Sequence, residues 1–117
     1  MSTLTREEIA EALKENHDYK AIWKGKIGKD CVNLNNSLAK WLSKRLLHLS
    51  IYGNTVPEHL SAKAWELKLR FNAVALYRYH QVKIGSIDPS ASEYEDIVKD
   101  GESAIHWVAE NLENLWT

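Results

Sequence analysis

Apolar residues in this chain recur every three or four positions along most of its length, the spacing of one face of an α-helix. The first run, Ile9, Ala12 and Leu13, follows a clear start signal. Thr5 with Glu8 three residues on forms a capping box, and Leu4 and Ile9 stand where a hydrophobic staple joins. This helix is expected to reach Glu15 and to need a larger surface on which to dock. A second helix is expected from Asn35 or Asn36, with Leu38, Leu42, Leu46 and Leu49 as its stripe, Trp41 widening it and Gly53 stopping it.

The third helix is predicted from Pro57, a residue suited to a first helical position, to about Val82. It carries two apolar stripes. One is Leu60, Ala64, Leu67, Phe71 and Val74; the other is Trp65, Leu69, Leu76 and Tyr79. A helix apolar over so much of its circumference is expected to be central and contacted on several sides. The fourth helix is predicted from a capping box of Ser92 with Glu95, with Ile97, Ala104, Val108, Leu112 and Leu115 along one face. Gly101 within it marks either a close helix approach or a kink. Trp107 and Trp116 lie beyond the main stripe.

No apolar/polar alternation is bounded as a strand would be. The expectation is therefore an all-α, four-helix, antiparallel bundle-like fold, a single domain over residues 1–117 with a long central helix. An irregular loop follows the first helix over residues 16–33, broken by Gly25 and Gly28. At 117 residues the chain is long enough to bury a core without disulfides or zinc. Its single cysteine, Cys31, cannot form an internal disulfide, which points to a reducing compartment. Arg6, Glu7, Glu8 and Glu11 stand where a signal peptide would need an apolar run, and no stretch of about 18 apolar residues is present, so cytoplasmic placement without a membrane span is expected.

The candidate chemistry is sparse. His17, His48, His59, His80 and His106 include no pair at the i, i+4 spacing of a helical zinc site. Cys31 has no activating neighbour in sequence, and no serine lies in a hydrolase elbow. Glu7/Glu8 and Glu95/Asp96 open helices, where the positive end of the helix dipole accounts for acids. No enzyme, cofactor or metal is therefore expected. The stretch Lys24-Gly25-Lys26-Ile27-Gly28-Lys29 lacks the glycine gap and the Lys-Ser/Thr ending of a phosphate loop and reads as a flexible basic loop.

Charge changes the picture. The net charge is −1, but residues 1–19 carry −3, residues 20–83 carry +9 and residues 84–117 carry −7. A basic middle between acidic ends suits docking of complementary faces, including self-association. It equally suits neutralisation between adjoining antiparallel helices. The expected interaction residues are Lys20, Trp23, Lys24, Lys26, Lys29, Lys40, Lys44, Arg45 and the near-terminal Trp116. The alternative is a small nucleic-acid-binding or regulatory helical protein using the same basic segment.

Three stretches carry a family resemblance. They are Leu49 to Tyr52 with Val56-Pro57-Glu58-His59-Leu60; Ala73-Val74-Ala75-Leu76-Tyr77-Arg78-Tyr79; and Tyr94-Glu95-Asp96-Ile97 with Ala104-Ile105-His106-Trp107. Over residues 37–110 the chain resembles a family of small Mu-like phage and prophage virion proteins of the head–tail connector type. That resemblance implies a non-enzymatic structural protein that self-assembles as a ring and binds portal or tail proteins. It would be made in the host cytoplasm and carried into the virion.

Overall fold

A computed structural model describes residues 3–15, 31 and 33–116. Among them are four α-helices: α1 (Arg6–Glu15), α2 (Leu34–Tyr52), α3 (Ala62–Lys83) and α4 (Ala91–Glu110). A 3₁₀ turn follows at Leu112–Asn114, and no strand is present among the described residues. The all-α reading of the sequence is thus the observed fold class. The chain divides into two units, residues 1–33 and 34–117. The irregular loop after the first helix, with Lys20, Trp23, Lys24, Lys26 and Lys29, lies outside the described residues.

In the first unit, α1 starts where the sequence says it should. The Thr5 hydroxyl accepts the Glu8 N–H at 3.1 Å, and the Glu8 carboxylate accepts the Thr5 N–H at 3.2 Å. These two bonds satisfy backbone donors that a helix end leaves open.

In the second unit, α3 is the central and longest helix, packed against both α2 and α4. Cross-helix contacts fix the directions. Asn35, at the start of α2, donates to the Tyr79 hydroxyl near the end of α3 at 2.9 Å. Trp65, early in α3, meets Trp107, late in α4, with ring centroids 5.4 Å apart. Each neighbour therefore runs antiparallel to α3. The core is Ala39, Leu46, Trp65, Leu69, Ala73, Ala75, Leu76 and Ala104, with Tyr79, Trp107 and Val108 packed against it.

Three boundaries differ from the sequence reading. The α3 helix begins after Ser61, whose hydroxyl accepts the Ala64 N–H at 3.1 Å, and not at Pro57. Pro57 is buried and closes a tight turn in which the Leu60 N–H bonds the Pro57 carbonyl, leaving Ser61 as the residue able to cap. The α4 capping box is Ser90 with Glu93, not Ser92 with Glu95. Two overlapping Ser-x-x-Glu patterns compete there, and the earlier one adds two more residues to the helix. The α2 helix begins one residue before the predicted caps, after Asn33 in a left-handed conformation at φ 61°.

The α3 helix ends in a Schellman motif. The Ser86 N–H bonds the Gln81 carbonyl and the Gly85 N–H bonds the Val82 carbonyl, with Gly85 at φ 80°. Gly101 settles its own alternative: a Cβ there would lie 2.9 Å from the Tyr79 Cβ, so the glycine permits close approach of α4 to α3.

Candidate interaction surface

The second unit buries fewer apolar residues than its helices carry. On α3 the stripe of Trp65, Leu69 and Leu76 is 5%, 1% and 1% exposed, whereas Leu67, Phe71 and Val74 are 55%, 68% and 55% exposed. The second predicted stripe is core, and most of the first is surface. On α2 the buried line is Asn36, Ala39, Ser43 and Leu46; of the predicted leucine stripe Leu46 is in the core, Leu42 and Leu49 pack against it, and Leu38 is exposed. Small residues set this rotation. Ala39 and Ser43 on α2 and Ala73 on α3 let two backbones approach, and Leu46 is sealed beside them.

Leu67, Phe71 and Val74 form a ridge along the outer side of α3. A groove runs along each flank of that ridge, and Val74 borders both. The groove toward α2 is lined by Ser43, Lys44, Leu47, Ala73, Val74 and Tyr77. The groove toward α4 is lined by Phe71, Val74, Ala75, Arg78, Ile97 and Asp100. Both therefore open on one face, with exposed Leu47 and Tyr77 adding apolar surface on the α2 side. Contiguous apolar surface of this kind marks interaction sites in folded proteins.

Charge divides across that face. Lys40 and Lys44 lie one turn apart on α2; Asp96 and Asp100 lie one turn apart on α4. None of the four takes an ion-pair partner among the described residues; the ion pairs there join Glu66 to Lys63 and, at 3.0 Å, to Arg70. The dipole account of Asp96 is corrected by the observed cap. With Ser90 as N-cap, Asp96 lies beyond the first turn of α4, where dipole stabilisation has faded.

His80 shows that the two lysines lean toward α3. Its pKa is held below the ordinary imidazole value, first by burial and then by the charge of Lys40, with Lys44 adding to it. Its Nδ1 and the Oδ1 of Asn36 are buried without hydrogen-bond partners. At the far end of α3, Lys83 donates to the Tyr94 hydroxyl at 2.7 Å, which raises the lysine pKa and ties α3 to α4.

The predicted interaction residues separate in space. Lys40 and Lys44 flank the apolar face. Arg45 turns away from their stripe, stacking over the Trp41 ring at 4.0 Å and donating to the Trp41 carbonyl. Trp116 is exposed in the tail after the 3₁₀ turn, whereas Trp107 packs on Trp65 and belongs with the core rather than the periphery. Cys31 is a free, exposed thiol. Leu67, Phe71, Val74, Asp96 and Asp100 are not among the interaction residues expected from sequence. The signal was present in the doubled stripe of α3, because one helix between two neighbours cannot cover both stripes.

Among the described residues no three His, Cys, Asp or Glu side chains gather as a metal site would require, and no helix is long and apolar enough to cross a membrane. Fold and surface together define, among the described residues, an all-helical protein whose second unit leaves an apolar face of α3 exposed. Comparison of the chain with protein-family models, with curated proteins and with solved structures finds no match.

Proposed function

We propose that this chain is a non-enzymatic assembly protein that works by docking the apolar face of α3 against other protein. The observation that carries this reading is the uncovered Leu67–Phe71–Val74 ridge on an otherwise well-packed central helix. Residues kept apolar at such exposure serve association better than solubility. The resemblance to head–tail connector proteins adds the setting: virion assembly, with further copies, portal or tail proteins as partners. The Lys40/Lys44 and Asp96/Asp100 pairs, without ion-pair partners among the described residues, suit electrostatic steering of such contacts.

The test is Phe71→Asp with Val74→Asp in the full chain, followed by sedimentation and by thermal unfolding in dilute solution. Loss of association with an unchanged unfolding midpoint is the expected result. Association untouched by the pair would defeat the proposal. A gene lying beside portal, capsid or tail genes would support the virion setting, and a gene far from any prophage would count against it.

A further inference from the structure

We propose that the partner on the α3 ridge is a second copy of this chain, related by a two-fold axis parallel to α3. This rests on the reading of the ridge as an assembly face and names its occupant. A half-turn about such an axis lays ridge on ridge, with Leu67, Phe71 and Val74 meeting their own counterparts. It also carries the α2 flank of one copy over the α4 flank of the other. A two-fold perpendicular to α3 within the interface plane would instead set α2 over α2 and α4 over α4, like charge on like charge.

Charge favours the first arrangement. A rotation about an axis parallel to α3 leaves height along α3 unchanged. Lys44 lines the groove on one flank of Val74 and Asp100 the groove on the other, and the contact of Gly101 with Tyr79 sets Asp100 nearer the C-terminal end of α3. The half-turn therefore sets the basic α2 flank of one copy over the acidic α4 flank of the other. Lys40 lies one turn before Lys44 on α2, and Asp96 lies one turn before Asp100 on α4. Both helices run antiparallel to α3, so both steps lead toward its C-terminal end, and Lys40 comes to the height of Asp100. The proximity of Lys40 to His80 agrees with that height. The two-fold then sets a lysine flank against an aspartate flank on both sides of an apolar centre, with Arg78 sharing the groove of Asp100. Such a contact uses the same patch on both copies and closes at two.

The experiment is sedimentation of the full chain over a range of concentration, at low and at high salt, with helical content checked for each variant. The wild type is expected to dimerise, more weakly at high salt. Lys40→Glu with Lys44→Glu, and separately Asp96→Lys with Asp100→Lys, should each weaken the dimer by about tenfold or more. An equimolar mixture of those two variants should form a heterodimer, and one chain carrying all four changes should dimerise again. A second measurement places the axis: Val74→Cys in a Cys31→Ser background should cross-link to its own counterpart on oxidation.

A wild-type dimer that neither the four-fold swap nor the mixture restores overturns the two-fold while leaving the assembly reading intact. A monomer at every concentration whose unfolding midpoint is unmoved by Phe71→Asp overturns the second copy and leaves the ridge to a different protein. A monomer whose midpoint falls with Phe71→Asp means that the chain covers its own ridge, and both readings fail. Oligomers that survive Phe71→Asp use another surface and overturn both as well.

Discussion

Two lines of apolar residues run along α3 and have opposite fates. Trp65, Leu69 and Leu76 are nearly sealed, and Leu67, Phe71 and Val74 face outward. The two lines are alike in spacing and in hydrophobicity, so the difference comes from their neighbours. The α2 and α4 helices offer small residues, Ala39, Ser43, Gly101 and Ala104, toward the first line. Close backbone approach there seals one side of α3 and leaves the other without a helix in the second unit. A stripe records that a surface wants covering; it does not record what covers it.

The sharpest way to break this comparison is to truncate one residue on each line. Leu69→Ala empties a sealed site and is expected to cost about 2–5 kcal/mol of stability. Phe71→Ala, at the same helical depth but exposed, is expected to stay within about 0.5 kcal/mol when the protein is dilute enough to be monomeric. Denaturant titrations of both variants at low concentration check the contrast. Equal losses would mean that the ridge is core after all.

The fold class was legible in the sequence because helix periodicity, caps and stops are local. Thr5 with Glu8 and the stop at Gly53 appear where the residues put them. What was not legible depended on non-local packing. Of the stripe Leu38 to Leu49, Leu46 is core and Leu42 and Leu49 pack on it, but close approach to α3 brings Ala39 and Ser43 into the core and leaves Leu38 exposed. Pro57 and Ser61 both advertise a helix start, and only the turn between them decides for Ser61. Of the candidate interaction residues, Lys40 and Lys44 come to flank one face, while Arg45, adjacent in sequence, turns to Trp41. The acidic half of that face was obscured because Asp96 was assigned to a helix end that begins two residues earlier.

A next, smaller effect probes how the sealed side is achieved. Gly101→Ala places a Cβ 2.9 Å from the Tyr79 Cβ and 2.7 Å from its Cδ2. Overpacking of this kind costs about 1–3 kcal/mol. The gain from replacing a helical glycine, about 1 kcal/mol, offsets part of it. Net destabilisation of about 1 kcal/mol is expected, with the α3–α4 contact loosened around Tyr79 and the ridge unaffected. Near-ultraviolet circular dichroism of the tyrosine region would report the local change, and thermal unfolding the loss. A stabilised variant would show that α4 is free to shift away from α3.

A similar effect of about 1 kcal/mol is expected for Ser90→Ala, which removes the bond from the Glu93 N–H to the Ser90 hydroxyl in the α4 capping box. Ser92→Ala should leave stability nearly unchanged, since its hydroxyl only approaches that of Ser90. The pair of variants, compared by thermal unfolding, decides between the two overlapping Ser-x-x-Glu patterns. It also fixes where the first turn of α4 lies, and hence whether Asp96 belongs to a helix end or to the acidic flank of the ridge.

The smallest expected effect is a pH dependence located on the sealed side of α3. His80 is half-buried there, and its neutral form is favoured by burial and by Lys40 and Lys44. Well above the ordinary value of 6.5 the side chain is neutral in both folded and unfolded chains, and it contributes no pH dependence. As pH falls through that value the unfolded chain takes up the proton first, because the folded pKa is the lower one. The unfolded state then binds more protons, so stability declines until the folded imidazole also titrates. His80→Gln removes the titrating group, and the gap between variant and wild type should shrink or reverse as pH falls from neutral toward 5. Lys44→Glu should act in the same direction by removing one of the two charges that disfavour the imidazolium. Both curves are to be measured at a concentration where the chain is monomeric, so that the side facing α2 is read separately from any contact made by the ridge. A stability profile that rises on acidification in the wild type and is flattened by His80→Gln would reverse the assignment, placing a carboxylate rather than two lysines beside the ring.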